Sequence, residues 1–152
     1  MAKILKVNDL VPDSVMLKIA NRIANSARQF ARKTKSKRIP KSIKVGTVSS
    51  TEKTASITIW ADTDIAPQAV VFERGAEPHG IDAKNFPYLR FPGTNQFAGQ
   101  GIQVEHVDHP GMAKRPYMQP AKDKHRKRNL EELRESVGRN MRLQIRLMSK
   151  KV

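Results

Sequence analysis

Two prolines four positions apart, Pro116 and Pro120, stand directly ahead of the longest helical pattern in the chain. Proline has no amide proton to give a helix interior, and its ring collides with the preceding turn, so it is tolerated only in a first turn. The stretch "RPYMQPAKDKHRKRNLEELRESVGRNMRLQIRLMSKKV" must therefore start its helix near Pro120, with Pro116 in an extended lead-in. Leu130, Leu133, Val137, Met141, Ile145 and Met148 step by three or four residues, which lines them on one face and predicts a helix over about 118–149. Leu143 and Leu147 lie off that stripe and suggest a second apolar contact, such as another chain. Gly138 weakens the middle by up to ~1 kcal/mol relative to alanine.

The residues feeding this helix, "EHVDHPGMAKRPYMQPAK", hold two histidines, two acids and three prolines. They read either as an active site or as a corner. In an extended strand Glu105, Val107 and His109 point one way while His106 and Asp108 point the other. Without a bulge the four polar groups cannot meet at one metal, and no third ligand follows at a recognisable spacing. A His–Asp pair can orient an imidazole, but no nucleophile motif or glycine-rich phosphate loop accompanies it. "HPG", by contrast, is turn chemistry, and Tyr117 and Met118 are apolar pegs that would pin the bend. The residues favour a corner.

Upstream, "PDSVMLKIANRIANSARQFARKTKSK" has Met16, Ile19, Ala20, Ile23, Ala27, Phe30 and Ala31 at helical spacing, with Asp13 or Ser14 placed to cap. This predicts a basic helix over 14–34, followed by a mobile loop in "KTKSKRIPKS". "SIKVGTVS" and "TASITIWAD" around "SSTEK" predict a hairpin, because Ala55, Ile57, Ile59 and Ala61 alternate with polar positions and Trp60. "DIAPQAVVFERGAEP" predicts a short helix that starts at Asp64 and is closed by Gly75. "GAEPHGIDAKNFP" reads as an exposed loop, and "YLRFP" with "GIQVEHV", joined by "GTNQFAGQG", as a second hairpin. His79 and His125 stand alone among polar residues, which predicts exposure. The expected architecture is α+β: one domain over residues 1–152, a small antiparallel sheet of two hairpins flanked by an N-terminal helix and a long C-terminal helix.

Composition limits the function classes. The chain of 152 residues is 38% hydrophobic and only 5% aromatic, which implies a small core. It has no cysteine, which excludes disulfides and thiolate metal sites. No apolar run approaches the ~18 residues that a bilayer span requires. A soluble chain without a targeting segment is the expectation.

The net charge of +15 is carried by the ends. Residues 1–38 have ten lysines and arginines against two acids, and residues 112–152 have thirteen against four. Such asymmetry points to an acidic partner, either DNA or an acidic protein surface. Lys33, Lys35, Lys37, Arg38, Arg126, Lys127 and Arg128 are the candidate contacts. "KDKHRKR" has no interleaved aromatics on which bases could stack, so its use is electrostatic, or it is simply a solvated helix face.

Two segments, in this order, carry a resemblance. "IAPQAVVFERGAEPHG" resembles the tyrosine-alanine-proline … valine-glutamate-phenylalanine-glycine segment of the tail-completion, or head–tail joining, proteins of long-tailed bacteriophages. "VDHPGMAKRPYMQPA" resembles that family's histidine-proline-glycine … proline-phenylalanine-(leucine or methionine)-x-proline-alanine segment. The chain departs from the pattern where Arg74 separates Glu73 from Gly75 and where Ile65 replaces the tyrosine. The resemblance implies a structural virion protein, a ring subunit of the neck in hexameric assembly that joins the DNA-filled head and its connector to the tail tube. It implies no catalysis and no cofactor. It also implies connector or stopper, tail-terminator and tail-tube proteins as partners and location in the virion after synthesis in the host cytoplasm; no membrane partner is expected, from the lack of an apolar run. Phe72, Glu73, Gly75, His109, Pro110, Gly111, Pro116 and Tyr117 become the assembly candidates, with Leu143 and Leu147 added from the last helix. Three rivals stand beside it: a tail terminator capping the tube, a basic nucleic-acid-binding protein, and a metal-dependent enzyme using His106, Asp108 and His109.

Overall fold

The chain alternates helix and strand in the computed structural model, which describes residues 10–51, 53–84, 87, 89–91 and 102–149. Helix α1 (Asp13–Arg32) leads through one-turn α2 (Ile39–Ser42) into β1 (Ile43–Ser50) and β2 (Ala55–Ala61). Helix α3 (Ala69–Arg74) precedes β3 (His79–Asp82), β4 (Leu89–Phe91), β5 (Ile102–Val104) and β6 (His106–His109). Helix α4 (Met118–Ser149) follows. The fold class is α+β.

The first hairpin forms where its alternation predicts. β1 and β2 pair antiparallel, Ile43 with Ala61 and Val45 with Ile59, and the register shifts by a bulge between Val45 and Val48. Ala55, Ile57, Ile59 and Ala61 are half-buried while Ser56, Thr58 and Trp60 face outward. The second hairpin is longer than its sequence signals. β4 pairs with β5 as expected, and β3 pairs with β6 farther back along the same excursion, His79 with His109 and Asp82 with His106. The segment read as an exposed loop is therefore partly a strand. "HGID" lacks an apolar alternation, and only its distant partner supplies the ladder. The glycine-rich turn over 92–101 lies outside the described residues.

The core is narrow. Among the described residues, Ala20, Ala24, Ala27, Ala31, Ala66, Ala69 and Ala121 are seven of the eleven buried apolar residues. Ala24, Ala27 and Ala31 of α1 pack with Ile39, Ile43, Ala66, Ala69, Tyr117 and Ala121, with Ile59, Phe72 and Met118 at the margin. Small side chains let the backbones of α1, α3 and the start of α4 approach closely, which explains how so few aromatics suffice.

Several expectations move. α1 has Pro12 as its N-cap with no side-chain cap bond, and Asp13 is its first residue instead of the cap. The Pro12 carbonyl takes the amides of Val15 and Met16 at 3.0 and 3.3 Å. The basic loop is not loose: α2 drives Ile39 and Ser42 into the core, both 0% exposed. The Ser36 hydroxyl accepts from the Ile39 amide at 3.4 Å and from Gln68 Nε2 at 3.3 Å. α3 starts at Ala69, not Asp64, because Asp62 claims the intervening turn: its carbonyl takes the Ala66 amide and its Oδ1 takes the Asp64 amide, each at 3.0 Å. The apolar stripe of α4 is not its buried face. Leu133 and Val137 are half-buried, whereas Leu130, Met141, Ile145 and Met148 are exposed, and Ala121, Asn129 and Ser136 are the buried residues.

If α2 is a plug in the core, Ile39→Ala removes a fully buried side chain and lowers unfolding free energy by about 2–4 kcal/mol. Urea titration of the two proteins measures it, and a mobile loop at this position would give almost no change.

Candidate functional site

The two segments that carry the resemblance meet in space, and one carboxylate ties them. Glu73 sits in the last turn of α3, beside the point where α4 begins. Its Oε2 accepts from the amides of Tyr117 at 2.7 Å and Met118 at 3.0 Å, and its Oε1 from the amide of Gln119 at 3.1 Å. The opening amides of a helix lack partners within it and lie at the positive end of its dipole. Glu73 supplies acceptors and negative charge from a distant segment.

The surrounding backbone makes this reach possible. Gly75 closes α3 at φ 79°, donating its amide to the Val71 carbonyl at 2.7 Å. A Cβ there would stand 2.9 Å from the Met112 carbonyl oxygen. Gly111, at φ 78°, brings its Cα against the Ala76 carbonyl, leaving no room for a side chain. Ala76 and Met112 then exchange two backbone bonds at 3.0 and 2.8 Å, and the Arg115 amide donates to the Phe72 carbonyl at 2.8 Å. Tyr117, 2% exposed, donates its hydroxyl to the Ala69 carbonyl at 3.2 Å. Burial, and then the Glu73 charge, push that phenol up to about 12. Phe72 lies under the Arg115 guanidinium, 6.0 Å from the ring centroid.

Of the assembly candidates, Phe72, Glu73, Gly75, Gly111 and Tyr117 thus serve the internal joint. Pro110 and Pro116 are exposed beside it. Leu143 and Leu147 lie far along α4 and are 54% and 50% exposed.

The histidines divide between two faces of the β3–β6 ladder, as strand alternation requires. His106 lies over Gly80 with Nδ1 2.6 Å from Asp82 Oδ1 and Nε2 3.0 Å from Asp108 Oδ1. Two carboxylate acceptors call for two N–H donors, so the imidazolium form is favoured, and the Asp82 and then Asp108 bonds hold its pKa above the usual histidine value. Its contribution to stability is full below about 6.5 and is lost as pH rises through the raised value. His79 is not solitary, because it stacks on His109 with centroids 5.0 Å apart. His109 Nδ1 accepts from the Gly111 amide at 3.1 Å. Among the described residues no group of three His, Asp or Glu is placed to hold a metal ion.

A polar seam joins α1 to α4. Arg22 donates to Asn129 Oδ1 at 2.6 Å and to Glu132 Oε2 at 2.7 Å, and Lys18 pairs with Glu132 Oε1 at 2.6 Å. Ser26 Oγ lies 2.7 Å from His125 Nε2, and Asn140 Nδ2 donates to the Leu10 carbonyl at 3.0 Å. His125 is therefore half-buried, contrary to the expected exposure, and its burial depresses its pKa. Lys18 and Arg22 pull Glu132 down to about 2. Residue spacing gave no sign of these pairs. Each needs a partner roughly a hundred positions away.

The predicted cationic residues gather with others that were not predicted. The ammonium groups of Lys33 and Lys124 sit 5.5 and 5.8 Å from the Phe30 centroid. A depression of about 250 Å³ beside them is lined by Phe30, Lys33, Thr34, Arg115 and Pro116. A second, of about 380 Å³, is lined by Arg32, Lys35, Ser36, Lys37, Pro40 and Lys41. Arg38, Arg126, Lys127 and Arg128 are exposed, Arg128 one turn beyond Lys124. Lys35 has φ 63°, the one described non-glycine residue with positive φ.

Comparison of the chain with protein-family models, with curated proteins and with solved structures finds no match.

Replacing Glu73 by alanine strands three amides at the start of α4 and is expected to cost about 1–2 kcal/mol, read as a fall in the thermal midpoint. Acid acts on the seam. Glu132 has a depressed folded-state pKa, so its contribution is present above about 4.5 and fades as pH falls toward about 2. His125, also depressed, adds a loss that begins below about 6.5. The stability gap between the parent and Glu132→Gln should therefore narrow steadily from pH ~5 to ~2.5 in urea titrations; a constant gap would contradict the ion pairing.

Proposed function

We propose that this chain is a structural ring subunit of a bacteriophage neck, joining the DNA-filled head and its connector to the tail tube. The observation that carries the assembly reading is the overhang of α4. Met141, Leu143, Ile145, Leu147 and Met148 are all at least 40% exposed, in a chain whose own core is built largely from alanine. At 3.6 residues per turn, Met141, Ile145 and Met148 fall on one side of the helix and Leu143 with Leu147 on nearly the opposite side. A ring subunit meets a different neighbour on each side, through contacts that are not self-complementary. Two separate apolar faces fit that requirement better than the single face of a two-fold dimer.

The neck assignment rests on the resemblance of the two segments, and their close association supports it. A joint made by Glu73, Gly75, Gly111 and Tyr117 gives both segments a reason to occur together in one chain. Its task is to aim α4. Homo-oligomerisation into a ring, with connector and tail components as further partners, follows from this reading.

In the phage that encodes the chain, its loss should leave DNA-filled heads and separate tails of normal length, and added protein should restore joined particles. The paired variants Leu143→Asp/Leu147→Asp and Met141→Asp/Ile145→Asp should fold, since all four positions are exposed, yet fail to restore joining. Overlong tails in the absence of the chain would point to a terminator instead. Heads and tails that join normally without it would end the proposal.

A further inference from the structure

We propose that the cations gathered at the C-terminal end of α1 form a binding surface for the phosphate backbone of duplex DNA, read without regard to sequence. Three segments far apart in the chain contribute: the residues from Arg32 to Lys41, the corner residue Arg115, and Lys124 on α4. The surface lies toward the opposite end of α4 from the apolar overhang, so it stands or falls independently of the ring reading.

The first support is the lack of compensation among the described residues. Lys18, Arg22 and Lys44 pair with carboxylates. Arg32, Lys33, Lys35, Lys37, Lys41, Arg115 and Lys124 form no ion pair with a described residue. Like charges held together without counter-charges repel one another, and a polyanion relieves that repulsion while releasing its own counterions.

The second support is Lys35. Its φ of 63° reverses the chain after α1, a conformation in which a side chain is disfavoured and glycine is not. A lysine held there places a cation at the rim of the larger depression against the local backbone preference, and such strain marks functional positions.

The chemistry also selects among polyanions. The aromatic rings at the surface are already covered by cations, Phe30 by two ammonium groups and Phe72 by the Arg115 guanidinium. Among the described residues of this surface no open ring is left to stack an unpaired base, which disfavours single strands. It also leaves no apolar anchor of the kind that centres a protein interface. Four of the six cations lining the two depressions are lysines, which act as point charges and lack the planar fork that matches a carboxylate. A regular array of phosphates is the partner that remains.

Fluorescence anisotropy of the full chain with labelled duplexes of about 30 base pairs tests this, using two unrelated sequences across a salt series. Both duplexes should bind alike, with affinity falling steeply as salt rises. Lys33→Gln/Lys35→Gln/Lys37→Gln should weaken binding about tenfold or more and make the slope of log affinity against log salt shallower by about 2–3. Arg139→Gln/Arg142→Gln/Arg146→Gln removes equal charge from the exposed far end of α4 and should change affinity by no more than about twofold. Lys35→Gly should raise the thermal midpoint while weakening binding, a combination that damage to the fold cannot produce. No duplex binding at about 50 mM salt, equal losses in the two triple variants, tighter binding to the single strand, or displacement of the duplex by polyglutamate at matched charge would each overturn the proposal.

Discussion

The carboxylate of Glu73 accepts from three consecutive amides of a helix whose first residue lies 45 positions away. A helix of 32 residues that opens at Met118, between two prolines, takes its cap from outside: Glu73 supplies the acceptors for its opening amides. Without Glu73 the start of α4 would depend on water for its free donors, and the corner would lose its fixed angle. Gly75 and Gly111 are the backbone conditions for that contact, since a side chain at either position would push the two segments apart. Tyr117 seals the joint from below. Much of the remaining structure is placed by it: α4 is held against α1, and Arg115 comes to rest over Phe72 and beside Lys33.

How far the sequence could lead is clear from the separate elements. Local signals were sufficient where structure is local. Alternation over Ala55–Ala61 specified the first hairpin, and the prolines located the start of α4 within two residues. Gly75 marked the end of α3, and the corner reading of "HPGMAKRPY" matches the path of the backbone. The failures involve partners remote in the chain. β3 has neither apolar alternation nor β-branched density, and exists because β6 returns alongside it. α2 looked like part of a charged loop because one buried isoleucine among lysines leaves no periodic trace. On α4 the apolar stripe suggested the inner face, yet the helix turns Asn129 and Ser136 inward. Asn129 finds Arg22 across a seam that no pattern within α4 could announce. Of the site, the cations at Lys33, Lys35 and Lys37 could be named from charge alone. Their meeting with Arg115 and Lys124 could not.

The surroundings of α4 change along its length. Its first turns contribute Lys124 to the basic surface around Phe30, its middle is engaged by α1, and its last turns carry exposed leucine, isoleucine and methionine. One rod therefore spans three environments, and the joint at its base orients all of them together. Small core residues suit such an arrangement: alanine contributes modest burial per residue but lets backbones approach closely, so rigidity comes from hydrogen-bonded geometry more than from bulk.

The seam between α1 and α4 has a mechanical consequence. Apolar side chains at a helix interface can slide by a turn and still find greasy neighbours. Here Arg22 reaches Asn129 and Glu132, Ser26 faces His125, and Asn140 holds the Leu10 carbonyl, so a one-turn displacement would break every partnership at once. The sliding position is keyed like the teeth of a lock. With Asn140 as the last tooth, the nine residues from Met141 to Ser149 project as a cantilever of about 13 Å whose reach is set by that keying.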